Sequence, residues 1–354
     1  MLNLYFFTPS LTIKNNSMTR ISFDEMKSTV KKAFLLAGLP EEKAEICATI
    51  HTESSRDGVY SHGLNRVERF VDYLINGLVD ADAEPSLISN LGAMEVYNGN
   101  MGPGILNARF AMNRASEIAE KNGLGLVSLN NTTHWMRGGA YGRQAAEKGY
   151  IGICWTNTES CMPPWGARSC AVGNNPFIMA IPRKEGHIVL DMAMSQYSFG
   201  AMELSAMKNE KLSVHGGFDK NGNITNDPAA ILESRRPVPV GYWKGAGLSL
   251  LLDILATILS GGSATHAVSK REVEYGLSQV FVTIKISLLP NHSAIPGLIK
   301  NILDDYKQSM PQDNKTSISY PGERVLQTRE KNKAQAIPVV REVWNGIENF
   351  NKIH

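Results

Sequence analysis

The run from Ala246 to Ser260, within GAGLSLLLDILATILSG, is the most apolar stretch of the chain, and it constrains the fold more than any other segment. A membrane-spanning helix needs ~20 apolar residues. This run is shorter and carries Asp253 in its middle, where a charge is costly in lipid. The expectation is a central buried helix and no membrane span. Asp253 then needs a partner, because an unpaired buried carboxylate is expensive. At ~150 residues per unit, the chain has room for two or three structural units around such a helix.

Charge narrows the function classes. Lys and Arg number 36 against 34 Asp and Glu, a formal net charge of +2. That balance argues against a nucleic-acid partner or a polybasic membrane surface. Cys47, Cys154, Cys161 and Cys170 form no CxxC pair, which suits reduced thiols in a cytoplasmic protein. The histidines form no HxxxH or HxH pair, and no metal is expected. Residues 1–17 lack the basic start and small-residue cleavage site of a signal peptide. The fold is expected to begin near Met18, with 1–17 as an extension outside it.

The remaining pattern alternates. Ser22 and Glu25 form a capping box ahead of Met26, Val30, Ala33 and Phe34. Helices are expected over Ser22–Leu36, from Pro40 to about Arg56, over Arg66–Ile75, and from Pro103 to about Lys121. Strands are expected at Met94–Tyr97, Leu124–Leu129, Ile151–Trp155, Phe177–Ile181, Ile188–Leu190 and Gln279–Ile286. Residues 213–240 read as loop-rich and the C-terminal part as helical. This suggests a mainly helical unit, 18–85 with 320–354, framing an α/β region over 86–319.

No GxGxxG and no GxxxxGK[ST] occurs, so the usual dinucleotide and nucleotide phosphate loops are missing. Other backbone nests can hold a pyrophosphate. Four segments carry chemistry. In Tyr60-Ser61-His62-Gly63-Leu64-Asn65-Arg66, His62 suits proton delivery near neutrality. Arg66 suits a carboxylate through its bidentate fork. A capping His and a surface Arg would give the same residues. Thr133-His134-Trp135-Met136-Arg137-Gly138-Gly139 follows a strand end, where ligands bind, although a packed loop explains it equally. Met162-Pro163-Pro164-Trp165-Gly166 and Gly173-Asn174-Asn175-Pro176 suggest a rigid loop over a site, or architecture alone. Gly241-Tyr242-Trp243-Lys244-Gly245 opens the apolar run; Lys244 there either holds a phosphate or lies in a hinge. Asp191, ending a strand, either binds ribose hydroxyls or caps a turn.

In this order, SHGLNR, HWMRGG, NNP and GYWKGAGL resemble the type 2 malate/L-lactate dehydrogenase family from about Met18 to the C-terminus. The chain departs from the family's usual pattern at Asn174, often Thr, and at Thr133, often Asn. The resemblance implies an α/β fold with a non-Rossmann nicotinamide-binding domain inserted between N- and C-terminal helical segments. It implies a cytoplasmic homodimer that uses NADH to reduce the C2 ketone of a small-molecule 2-oxo sugar acid. His62 is then the proton donor, Arg66 the carboxylate grip and His134 a further catalytic contact. The cofactor would be lined by His187, Ile188, Val189, Leu190, Asp191, Met192 and Ala193, by Trp243 and Lys244, and by Gly322, Glu323 and Arg324. A reductase of malate, lactate or ureidoglycolate type would use the same His/Arg pair. A non-catalytic sugar-acid binding protein is the reading from another class.

Overall fold

The computed structural model of the chain describes residues 18–313 and 317–353; the expected extension 1–17 lies outside them. The N-terminal helices form where local signals place them. Strand β1 (Met18–Ile21) leads into α1 (Phe23–Leu36), whose cap Ser22 accepts the Glu25 N–H at 3.2 Å. Helices α2 (Glu41–Arg56) and α3 (Val67–Ile75) follow, joined by two 3-10 turns, Tyr60–His62 and Leu64–Arg66. Met26, Val30, Phe34, Ala44, Cys47, Phe70 and Val71 close a helical core.

The central element is a seven-stranded mixed sheet. Its strands are β2 (Ser86–Asn90), β3 (Met94–Asn98), β4 (Leu124–Thr132), β5 (Tyr150–Thr156), β8 (Phe177–Ile181), β9 (Ile188–Met192) and β12 (Leu277–Lys285). Two short strands, β6 (Ser160–Met162) and β7 (Val172–Gly173), pair beside it. The sheet order is β2-β3-β4-β12-β5-β8-β9, and β3–β4 is its parallel pair. Helix α4 (Gly104–Asn122) makes that parallel crossover, as parallel strands require. Helix α5 (Gly139–Glu147) packs on β5 and β8.

Alternation along the strands sets two core faces. Cys154 and Phe281 join Met112, Tyr141 and Ile178 on the side of α4 and α5. Their neighbours Trp155 and Val280 join Met162, Leu252 and Ala256 on the side of α8 (Trp243–Ser260). All four cysteines are free thiols, with Cys47 and Cys154 buried.

Helix α8 corrects the first expectation. It does not run buried through the core. Ala246, Ser249, Leu252, Ala256 and Ser260 face the protein, while Leu248, Leu250, Leu251, Ile254, Leu255 and Ile258 are exposed. Small side chains let the helix lie close to the sheet, and the large ones are left outside. Mean hydropathy cannot report this, because both flanks are apolar. By length and composition α8 is the one helix among the described residues that would suffice to cross a membrane. Asp253 has its partners: Asn157 Nδ2 donates to it at 2.9 Å, and so does the Thr265 N–H at 2.9 Å.

The 213–240 segment is loop-rich as expected, with short elements set in it. It holds a strand pair, β10 (Gly217–Phe218) with β11 (Ile224–Thr225), and α7 (Pro228–Ser234), capped by Asp227. With α6 (Phe199–Met207) these pack around Met202, Leu212 and Ile231. After α8 come α9 (Thr265–Val268), β12, α10 (Ile295–Lys307) and α11 (Glu323–Gln335). The C-terminal part is not wholly helical. Strand β13 (Ile337–Val340) pairs antiparallel with β1, Met18 facing Val340, before α12 (Arg341–Ile353).

Candidate functional site

The loop carrying His62 is built tightly against α2. A Cβ on Gly63 would lie 2.2 Å from Ser55 Oγ and 2.9 Å from the His51 carbonyl oxygen, so only glycine allows this approach. His51 Nδ1 donates to the Gly63 carbonyl at 3.0 Å, and the Leu64 N–H donates to Ser55 Oγ at 2.8 Å. The turn is pinned on both sides of its glycine. Ser61 Oγ lies 2.9 Å from His62 Nδ1, which leaves Nε2 for a ligand.

His134 comes from the end of β4. Thr133 Oγ1 accepts the Gly104 N–H at 2.8 Å and donates to the Gly102 carbonyl at 3.0 Å, tying this loop to the start of α4. A Thr is therefore sufficient at this position. The Met136 N–H donates to His134 Nδ1 at 2.9 Å. That bond requires a lone pair on Nδ1, so the neutral ring carries its proton on Nε2. The His62 and His134 rings stack with centroids 5.8 Å apart and planes 20° apart. Burial, joined by the charges of Arg66 and Arg137, pushes His62 down to about 4. Burial and Arg66 hold His134 well below its ordinary value too.

Arg66 lies beside this pair, in a small chamber that shares His134 and Met136 with the main cleft. Its Nε donates to the Ser61 carbonyl at 3.3 Å. Its two terminal nitrogens have no partner among the described residues.

The main cleft has a volume of about 620 Å³. Of the residues expected to act, His62, His134, His187, Val189, Leu190, Asp191, Ala193, Gly322 and Arg324 line it. Ile188, Met192 and Glu323 do not: Met192 packs toward the α8 side of the sheet, and Glu323 pairs with Lys307. Trp243 and Lys244 are not brought to this cleft either. They sit exposed at the start of α8, with Lys244 Nζ 5.9 Å from the Trp243 ring centroid.

Each wall has a local cause. Asp191 Oδ2 accepts the Gly139 N–H at 3.0 Å, so a β9 carboxylate sits at the positive end of α5. Gly322, at φ +93°, lets its segment press on β9; a Cβ there would lie 3.0 Å from the Val189 nitrogen, whose N–H donates to the Pro321 carbonyl at 3.0 Å. The Arg183 N–H donates to His187 Nδ1 at 3.2 Å. Asn174 and Pro176 of the NNP turn also line the cleft. Buried Asn175 fixes that turn, its Nδ2 donating to the Ser249 carbonyl at 2.9 Å.

One functional feature was invisible in the residue pattern. Asp57, fully buried, receives Arg329 in a two-bond fork at 2.8 and 2.7 Å, Arg137 at 2.8 Å and Arg56 at 3.1 Å. Burial alone would raise its pKa. The Arg329 hydrogen bonds and the surrounding guanidinium charges outweigh that and hold it well below the usual carboxylate range. Arg137 and Arg329 both face the cleft, together with Arg143. The partners of Asp57 lie up to 272 residues away, beyond any local spacing signal.

Residues 21–348 match the model of the malate/L-lactate dehydrogenase family. The chain is 43% identical over 332 residues to the 2,3-diketo-L-gulonate reductase of Mannheimia succiniciproducens, an alignment covering 94% of this chain and all of that one. Among solved structures, malate dehydrogenase from Pyrococcus horikoshii OT3 is 28% identical with a TM-score of 0.85, over 96% of this chain and 97% of that one. Malate dehydrogenase from Entamoeba histolytica shares the fold with a TM-score of 0.89 at 24% identity, over 95% of this chain and 98% of that one.

Proposed function

The chain belongs to the malate/L-lactate dehydrogenase family of oxidoreductases, and from that premise we propose that it reduces 2,3-diketo-L-gulonate to 3-dehydro-L-gulonate at the C2 ketone, using NADH. The observation that carries this is the His62–His134 pair beside an Arg66 fork that no described residue fills. A 2-oxo acid presents a carboxylate next to a ketone. Arg66 would take the carboxylate in a bidentate fork, fixing the ketone against the imidazoles. His134 Nε2–H would donate to the carbonyl oxygen and oppose the charge that develops there. His62 Nε2 would deliver the proton that turns the alkoxide into a hydroxyl. The high identity to a full-length 2,3-diketo-L-gulonate reductase supports this substrate.

The cleft suits a nicotinamide dinucleotide. Arg137 Nε lies in its wall 3.6 Å from Asp191 Oδ2, an ion pair without a hydrogen bond, and Arg324 adds a cation near the start of α11. These would meet a pyrophosphate, with Val189, Leu190 and Leu326 as the apolar floor. When bound, the nicotinamide supplies the hydride. Asp191, with 28% of its side chain exposed, favours NADH because its carboxylate would repel a 2′-phosphate. The cofactor region is read as a non-Rossmann domain over 86–319, inserted between the helical segments 18–85 and 320–354.

A cytoplasmic homodimer completes the proposal. The outward face of α8 carries six exposed Leu and Ile side chains and no charged residue between Leu248 and Leu251 or between Ile254 and Ile258. Trp243 and Lys244, at the start of that helix, lie outside this chain's cleft. A second copy seated on α8 would cover the apolar face and bring Trp243 and Lys244 near a partner's cofactor.

The test is cofactor oxidation followed at 340 nm with NADH and NADPH across a panel of 2-oxo acids. The expected result is the highest kcat/KM with 2,3-diketo-L-gulonate and NADH. Faster turnover of oxaloacetate or pyruvate would move the assignment to another 2-oxo acid. No turnover with retained sugar-acid binding would leave a binding protein.

A further inference from the structure

The chamber behind His134 has a wall that the reaction described above does not use. It measures about 20 Å³ as it stands, the size of a single water. Its lining includes the exposed Arg69, a long side chain whose contact with Tyr73 would have to yield for a ligand to enlarge the chamber. Besides Thr133 and His134, whose Oγ1 and Nδ1 are already hydrogen-bonded, Arg66, Arg69, Tyr73 and Glu274 supply its polar atoms.

Few of these atoms are satisfied by protein. One Glu274 oxygen accepts the Glu159 N–H at 3.0 Å. The other Glu274 oxygen, the Tyr73 hydroxyl and the terminal nitrogens of Arg66 have no hydrogen-bond partner among the described residues. Arg69 stacks over the Tyr73 ring, 5.9 Å from its centroid. Two guanidiniums alone would make this a site for two carboxylates. Glu274 changes that. With Arg66 taking the carboxylate, the remaining charges are one cation and one anion. An acceptor-only carboxylate oxygen then faces whatever lies beyond the ketone.

We propose that Glu274 is a specificity-determining residue: its free oxygen accepts a hydrogen bond from a tail hydroxyl of a polyhydroxylated 2-oxo acid, and its charge repels the second carboxylate of a dicarboxylic one. This rests on the 2-oxo acid reading of the Arg66 site. It goes further by stating why a sugar acid is chosen over an oxaloacetate-like substrate. Rejecting a competitor by like charge is as much a source of specificity as attracting the substrate.

Glu274→Gln tests it. The amide oxygen still accepts the Glu159 N–H, while the charge is lost. A hydrogen bond from substrate to a charged group is worth about 10- to 100-fold. The free group becomes an NH2 that can donate to a hydroxyl but not accept from one, so KM for 2,3-diketo-L-gulonate should rise, by up to about that factor, while KM for oxaloacetate falls. A purely structural role would move both the same way, and parallel changes would overturn the proposal. A second measurement needs no variant. Gluconate and glucarate differ in a terminal carboxylate, and as competitors of the unmutated enzyme glucarate should bind at least about 10-fold more weakly. Equal or tighter glucarate binding would overturn the proposal. The substrate reading fails separately, if the unmutated enzyme reduces oxaloacetate but no polyhydroxylated 2-oxo acid; the gluconate–glucarate pair still decides the role of Glu274.

Discussion

Two sets of arginines stand about the functional cleft and its side chamber, and the protein treats them in opposite ways. In one wall, Arg56, Arg137 and Arg329 converge on buried Asp57, and Arg143 is held by Glu53 at 2.5 Å. These groups are fixed before any ligand arrives. At the histidine end, Arg66 and Arg69 make no ion pair among the described residues. The saturated set is a rigid wall, oriented at the cost of desolvating its charges. The unsaturated set holds a positive potential in reserve. His62 registers both sets: burial pushes it down to about 4, joined by Arg66 and, more weakly, by Arg137 of the paired set. The contrast assigns orientation to one set and chemistry to the other.

The contrast can be broken at several points. The largest effect should come from His62→Asn, which keeps a polar side chain without a proton to give. General acid catalysis is worth ~10²–10⁴-fold, and kcat for 2-oxo acid reduction should fall by about that much. Near-normal turnover would remove His62 from the reaction. Next, Asp57→Asn leaves three guanidiniums facing each other around a neutral amide. Losing one partner of a buried ion pair costs about 3–5 kcal/mol. The urea midpoint should drop accordingly, and cofactor affinity, read from NADH fluorescence, should weaken with it. Unchanged unfolding would mean the cluster is not a structural hub. A smaller effect is expected from Arg66→Lys, which keeps the charge and loses the fork. kcat/KM for 2-oxo acids should fall by roughly 10- to 100-fold through KM, with the unfolding midpoint unchanged. A loss of stability without a change in KM would place Arg66 in the wall rather than the site.

Much of the scaffold was legible because its signals are local. Ser22 with Glu25, and the apolar rows of α1 and α3, specify helices within a few residues. The SHGLNR and HWMRGG segments announced the histidine end for a related reason. A glycine that must touch α2 and a histidine that must stand in a loop leave marks in a short window. What was not legible is non-local. Strand β13 is four residues long and exists because β1, more than 300 residues earlier, pairs with it. Asp57 and Glu274 look like isolated surface acids until distant chain segments surround them. The apolar run of α8 reads as a buried helix; it is a helix, but one apolar flank is exposed. Its small residues together with Leu252 mark the packed flank, and composition is blind to which flank is which. Trp243 and Lys244 were expected at the cofactor, and their place on that exposed helix is the clearest separation between motif and cleft.

The central claim is that the substrate carboxylate completes the Arg66 end and thereby arms His62. Two positive neighbours and burial disfavour the imidazolium in the free protein. An anion seated on Arg66 offsets the stronger of those two charge effects, so the His62 pKa must rise on binding. Titration of the His62 imidazole by NMR, with and without saturating oxamate as an unreactive 2-oxo acid mimic, reads this directly. The expected result is a value near 4 in the free protein and a rise of about one unit or more with oxamate bound. The same value in both states would contradict it, because the carboxylate would then sit elsewhere and Arg66 would not control the proton donor.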